Sequence, residues 1–202
     1  MSNIGILAYG SLMWEPGPEI AVSLHRLERA ETPFKVEFAR RSTSSRGGAP
    51  TLVPVVKGGA YVKGLVLVLR EVVSLGKAKD MLWRRETQKV CSGERYEPPR
   101  HCCPNTVCIV ELGPLAAIDT VLCAWLAPNI KPLTAPYLAK LAISSVCKTG
   151  KGRDGITYLI SAKCSGIATP LMNGYEEEIK RQTGAGSLAE ALEKVQAIRP
   201  TC

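Results

Sequence analysis

The run AYVKGLVLVL at residues 60–69 constrains the fold most, because a short, apolar, β-branched segment is typical of a buried strand. Apolar runs of similar length at residues 4–8, 106–112 and 120–127 predict further strands, and a weak alternation at residues 35–39 predicts one more. These strands belong to the first two thirds of the chain.

The helical spacing appears mainly later in the chain. Residues 75–88 predict the first helix, with Leu75, Ala78, Leu82 and Trp83 as its inward stripe. Further helices are predicted at residues 135–147, 155–164 and 188–198, the last opened by the capping box Ser187-x-x-Glu190. The polar, glycine-rich stretch RRSTSSRGGAP at residues 40–50 reads as a loop by composition.

Strands that come mostly early and helices that come mostly late indicate an α+β fold. We expect a mixed or antiparallel sheet that curls into a small barrel and is flanked by helices. The 202 residues suit one domain over residues 1–202, since a chain of this length buries a sizeable core and shows no repeat or long linker.

Charge and hydropathy narrow the classes of partner. The net charge of +8 attracts anions, whether small carboxylated or phosphorylated metabolites or nucleic acid. Aromatic residues make up only 5% and do not alternate with the basic pairs, so nucleic acid is not the expected partner. No apolar run approaches the ~18 residues of a membrane span, and the start of the chain lacks the features of a secretory signal. We therefore expect a cytoplasmic protein. The positive charge by itself does not select one class of anion, and a solvated basic surface is the alternative.

The eight cysteines are irregularly spaced, and several lie inside apolar runs, so most are expected to be reduced core residues. The segment HCCPNTVC brings His101, Cys102, Cys103 and Cys108 close together and raises the question of zinc. Because the chain has no C-x-x-C pair and only one other histidine, no metal site is expected.

The first predicted strand, at residues 4–8, stops abruptly at Tyr9-Gly10-Ser11-Leu12. A strand that ends in a Gly-Ser turn exposes successive backbone N–H groups, and glycine lets a ligand approach the chain closely. The segment is therefore a candidate anion cradle, with a simple strand exit as the alternative.

Six segments follow one another in a distinctive order over most of residues 4–160: YGSL at 9–12, FARRS at 38–42, GGAPTLVPVV at 47–56, VKGLVLVL at 62–69, LWRRE at 82–86 and GKGRDGITYL at 150–159. This ordered set resembles the γ-glutamylcyclotransferase-like superfamily, and most of all its ChaC-type, glutathione-degrading branch. In the family a glycine-tyrosine pair commonly follows the catalytic glutamate after a few residues, whereas here Tyr96 falls later.

The resemblance implies a γ-glutamylcyclotransferase that needs no cofactor and releases 5-oxoproline from glutathione or a related γ-glutamyl peptide or amine. It assigns the general acid/base to Glu86, and it assigns the glutamyl part of the substrate to the backbone of Tyr9, Gly10, Ser11 and Leu12. Leu82 and Trp83 would give Glu86 a partly apolar setting.

Each candidate also has a plainer interpretation. Because Glu86 follows two arginines on a predicted helix, it would otherwise be a surface residue in a local ion pair. Glu94 and Glu97 are rival carboxylates in a proline-flanked loop. Arg41, together with Arg40 and Arg46, would bind a substrate carboxylate or remain a surface arginine; Tyr158 would line the pocket or be an ordinary helix residue. The alternative function is a non-catalytic binding protein on the same scaffold, for an anionic metabolite or RNA.

Overall fold

The computed structural model describes residues 3–42, 45–101, 103, 105–150 and 152–198. The strands are β1 (Ile4–Ala8), β2 (Leu24–Glu31), β3 (Val36–Ser42), β4 (Ala49–Pro54), β5 (Lys63–Leu69), β6 (Cys108–Glu111) and β7 (Thr120–Trp125). The α-helices are α1 (Pro18–Ser23), α2 (Leu75–Thr87), α3 (Ala135–Val146), α4 (Gly155–Cys164), α5 (Met172–Thr183) and α6 (Leu188–Ala197), and a short 3-10 helix covers Ser11–Met13.

The chain divides into two compact units. The first contains Met1–Pro33 and Val62–Ala127, and the second contains Phe34–Tyr61 and Pro128–Cys202. Each unit therefore combines two separate stretches of the chain.

The first unit is built on a five-stranded mixed sheet with the order β2-β5-β1-β7-β6. Strand β1 pairs antiparallel with β5 and parallel with β7, while β2 and β6 each pair antiparallel with one neighbour. Gly5 allows β1 and β5 to pack closely, because a Cβ there would lie 2.3 Å from the Cγ1 of Val66. Helix α2 packs on β1, β6 and β7.

The core of this unit includes Ile6, Leu67, Met81, Leu82 and Leu122, all almost completely buried. Burying such side chains contributes about 1.5–3 kcal/mol each. The α+β class and the mixed sheet with flanking helices are thus confirmed. The strand pairing found among the described residues does not close into a barrel.

The second unit contains the antiparallel pair β3 and β4 and the helices α3 to α6. Helices α3 and α4 both contact β4, and α5 and α6 complete the bundle. The buried carboxylate of Glu37 on β3 accepts hydrogen bonds from the Phe38 N–H, the Thr169 hydroxyl and the Leu171 N–H, so it holds the segment that leads into α5.

Most predicted elements are found within a few residues of their expected bounds, but the loop predicted at residues 40–50 is correct only for the turn at residues 45–48 and wrong at both ends. Strand β3 continues to Ser42 and β4 begins at Ala49, with Arg41 opposite Pro50. Pairing with the neighbouring strand satisfies the backbone of these polar residues, and composition does not reveal such a partner. Thr43 and Ser44 of the predicted loop lie outside the described residues.

The cysteines also differ from the prediction. Cys123 is free and buried, but Cys91, Cys103, Cys147 and Cys164 are free and exposed. Cys108 is buried and disulfide-bonded, so it is not a reduced core residue. Cys102 lies outside the described residues, and the part of the chain that the structure describes holds no cluster of metal-ligating side chains. No described helix is long and apolar enough to cross a bilayer.

Candidate functional site

Glu86 lies in the last turn of α2. The helix begins where the Ser74 hydroxyl accepts a hydrogen bond from the Lys77 N–H, and it ends at Gln88, whose φ of 60° lies in the left-handed region. In the predicted inward stripe, Ala78 and Leu82 are buried, while Leu75 and Trp83 are partly buried against the same core. The helix is thus fixed on the sheet at the level of Glu86.

The segment Tyr9–Leu12 forms the turn that leaves β1. Gly10 precedes the 3-10 helix, and its carbonyl accepts a hydrogen bond of 2.9 Å from the Met13 N–H. The first N–H groups of any helix have no carbonyl within that helix to which they can donate. Because the side chains of Tyr9 and Leu12 are buried, the turn is anchored in the core on both sides of Gly10 and Ser11.

Arg85 joins this turn to Glu86. Its Nη1 donates to Oε1 of Glu86 at 2.7 Å, and its Nη2 donates to the Ser11 hydroxyl at 3.0 Å. The Glu15 carbonyl accepts from Nε at 3.1 Å and from Nη2 at 2.6 Å. Only 13% of the Arg85 side chain and 15% of the Glu86 side chain are exposed, so this is a largely buried ion pair.

The buried thiol of Cys123 interacts with both Tyr9 and Glu86. Burial raises the pKa of the Cys123 thiol on β7 to about 12; a hydrogen bond with Tyr9 lowers it, and the negative charge of Glu86 raises it further. The Tyr9 hydroxyl also donates to the Ala124 carbonyl at 3.5 Å. Tyr9 and Glu86 therefore both act on the same buried thiol, which stays neutral near pH 7.

The preceding arginine, Arg84, has a different role. It forms an ion pair with Glu19 of α1, and its Nη1 donates to the Glu94 carbonyl at 2.5 Å. The hydrogen bond from Arg84 lowers the pKa of Glu19, and Glu19 raises the pKa of Arg84. Glu19 also accepts from the Cys91 N–H at 2.6 Å. This pair holds α1 and the segment after α2 against the helix that carries Glu86.

Tyr96 is a structural residue of that segment. Its N–H donates to Asp80 at 2.7 Å, its hydroxyl accepts from the Ile109 N–H at 3.0 Å, and its ring packs beside Trp83. Lys89 lies 5.0 Å over the Trp83 ring. Trp83 thus packs against Tyr96 and Lys89, and the carboxylate of Glu86 pairs with Arg85.

Arg41 and Tyr158 belong to the second unit. Arg41 is exposed and lies over Gly48, where a Cβ would come within 2.8 Å of its Nε, and its N–H donates to Asn129. Tyr158 is buried, accepts from the Leu52 N–H at 3.3 Å and faces Arg46, whose guanidinium lies 5.0 Å from the ring. These contacts agree with the plainer interpretation of Tyr158, and the substrate-binding roles of both residues stay predictions.

Arg85, Cys123 and Glu19 were not predicted to belong to this region. The plainer interpretation of Glu86 placed it in a local ion pair at the surface, whereas its pair with Arg85 is largely buried. Cys123 gave no signal beyond its place in an apolar run, and Glu19 gave none. Each of these residues interacts with a partner that is distant in the sequence: Arg85 with Ser11, Glu19 with Arg84, and Cys123 with Tyr9.

No protein-family model and no curated protein sequence matches the chain.

Proposed function

We propose that the protein is a γ-glutamylcyclotransferase, acting on glutathione or a related γ-glutamyl peptide or amine. The observation that carries the proposal is the Arg85 guanidinium, which links the Glu86 carboxylate to Ser11 of the turn after β1. The predicted proton-transfer group and the predicted cradle thus share one largely buried cation. The resemblance further implies that the sheet curls into a small barrel, which stays a prediction.

The chemistry requires little besides folding the substrate and moving protons. The α-amine of a γ-glutamyl amide attacks its own γ-carbonyl carbon, the new C–N bond closes a five-membered lactam, and the original amide C–N bond breaks. A tethered nucleophile of this kind gains from proximity alone. The α-ammonium loses two protons in total and the departing nitrogen gains two, so 5-oxoproline and a protonated amine are the balanced products.

Each group near the turn has a step to perform. Glu86 takes a proton from the α-ammonium and returns one to the departing nitrogen, as a general acid/base. The N–H groups of Gly10, Ser11 and Leu12 receive the α-carboxylate, and backbone donors or the Tyr9 hydroxyl stabilise the oxyanion that develops on the γ-carbonyl oxygen. A neutral Cys123 thiol adds no second negative charge beside this oxyanion.

The first experiment is a substrate panel. Purified protein is incubated with glutathione, γ-glutamyl dipeptides and γ-glutamyl amines, and 5-oxoproline is followed by mass spectrometry. Turnover of at least one member is expected. If none is turned over, the enzyme proposal fails, and direct binding measurements with the same compounds and with labelled RNA test the alternative of a binding protein.

The second experiment assigns the carboxylate. Glu86→Gln keeps the shape of the side chain but removes its titrating group, so kcat should fall by about 10²- to 10⁴-fold. The matched control is Glu97→Gln, the same change at an exposed carboxylate after α2, which should leave turnover unchanged. Full activity of Glu86→Gln would show that another group transfers the proton.

A further inference from the structure

The contacts of Arg85 divide into two sets. The Glu15 carbonyl accepts from Nε and Nη2 and fixes the guanidinium in place. On the adjacent edge, Nη1 donates to the Glu86 carboxylate, and Nη2 donates its other hydrogen to the Ser11 hydroxyl. Two parallel N–H donors on one edge of a guanidinium can bind a carboxylate in bidentate fashion, and an arginine has two such edges. The Glu15 carbonyl accepts from the Nε/Nη2 edge, so the Nη1/Nη2 edge is the one that could receive a carboxylate.

A γ-glutamyl substrate at the turn would bring its α-carboxylate beside Ser11. Backbone N–H groups provide hydrogen bonds but no net charge, and a carboxylate in a largely buried place needs a cation to offset its desolvation. Arg85 is a cation already bonded to Ser11, and 13% of its side chain is exposed. The α-carboxylate and Glu86 would therefore compete for the same edge of the guanidinium.

We propose that Arg85 is the charge partner of the substrate α-carboxylate and exchanges Glu86 for it when the substrate binds. This inference rests on the proposed function. The exchange leaves the Glu15 contacts in place, while it frees Oε1 of Glu86 at the moment when the α-ammonium arrives. Substrate binding itself would thus convert Glu86 from an ion-pair partner into an available base, and compounds without an α-carboxylate would not cause this conversion.

The test compares a γ-glutamyl substrate that is turned over with its α-carboxamide analogue, which keeps the attacking amine but lacks the negative charge. Wild type should prefer the carboxylate by about 10- to 100-fold in kcat/KM, as expected for hydrogen bonds to a charged group. In Arg85→Gln this preference should nearly vanish, mainly through a higher KM for the carboxylate substrate. Arg85→Lys, which keeps the charge but loses the fork, should retain an intermediate preference.

The control is Arg26→Gln, which removes an exposed guanidinium from the same unit and should keep the wild-type preference. The analogue differs from the substrate in the basicity of its amine, but that difference cancels when the wild-type ratio is divided by the variant ratio. Equal losses on both substrates in Arg85→Gln would overturn the inference and leave the function standing. If Arg85→Gln does not fold, the inference is tested with wild type and Arg85→Lys alone. It is overturned if wild type does not prefer the carboxylate substrate over the carboxamide analogue, or if Arg85→Lys keeps the full wild-type preference. A panel without any turnover overturns the function and this inference together.

Discussion

The ion pair between Arg84 and Glu19 allows a stability prediction whose size follows from the structure. Only 9% of the Arg84 side chain and 19% of the Glu19 side chain are exposed. In Arg84→Met, Glu19 keeps the Cys91 N–H but loses its cation, and the Glu94 carbonyl loses a donor. Methionine has a similar reach, so the change removes charge more than volume.

Breaking a buried pair by removing one partner costs about 3–5 kcal/mol. Because a fifth of Glu19 remains open to water, we expect the lower end of this range, about 3 kcal/mol of unfolding free energy. For a chain of this length, that corresponds to a fall in Tm of roughly 6–12 °C. Glu19→Met should cost more, since it leaves the better buried Arg84 without its carboxylate.

The double variant distinguishes a true ion pair from two independent packing defects. With methionine at both positions no buried charge is left alone, so the double variant should lose at least about 2 kcal/mol less than the sum of the single losses. Urea unfolding followed by circular dichroism measures these free energies. The matched control is the exposed pair of Arg26 and Glu28, whose methionine variants should show coupling below about 1 kcal/mol. Losses at the buried pair that add within about 0.5 kcal/mol would refute the reasoning.

The same pair predicts a pH dependence. Arg84 holds the pKa of Glu19 below its ordinary value of 4.5 in the folded protein. The stabilisation is therefore fully present above the unfolded-state pKa and is lost as the pH falls through the lower folded-state pKa. The difference in unfolding free energy between wild type and Arg84→Met should be constant from neutral pH to about pH 5 and then shrink under more acidic conditions. A difference that grows on acidification would contradict this assignment.

Three further changes test other parts of the molecule. Gly17→Ala should lower the unfolding free energy by about 1–3 kcal/mol and also lower turnover, because φ at Gly17 is 84° and the new Cβ would lie 3.2 Å from Arg85 Cγ. The control is Gly58→Ala, where φ is 70° but the space around the Cβ is open. This change should lower stability without lowering turnover. Glu37→Gln should lower the unfolding free energy by about 2 kcal/mol, as measured by thermal or urea denaturation. Both oxygens of the buried Glu37 carboxylate accept hydrogen bonds from protein donors, but only one end of an amide can accept, so at least one of the three donors would lose its partner. Cys123 should resist iodoacetamide at pH 8 in the folded protein and react after unfolding, whereas the exposed free cysteines should react at once, as peptide mass spectrometry would show.

Strongly patterned segments could be predicted from the sequence, and weakly patterned ones could not. Apolar runs predict strands β1 and β5, and helical spacing predicts helix α2, because the pattern of buried residues in each element can be read from the residue order. Strand β2 was missed, since this edge strand, LHRLERAE, is mostly exposed and carries charged residues on both faces. Pairing with β5 makes it a strand, and that partner lies more than thirty residues further along the chain.

The sequence determined which residue types were available to the candidate site, and the tertiary structure decided how they are paired. Arg84 and Arg85 are identical neighbours, and nothing in their order distinguishes them. On a helix, however, consecutive side chains point about 100° apart. One guanidinium therefore meets Glu19, 65 positions away, and the other meets Ser11, 74 positions away. Such partners are specified by the packing of α2 on the sheet, because only packing brings distant parts of the chain within hydrogen-bonding distance.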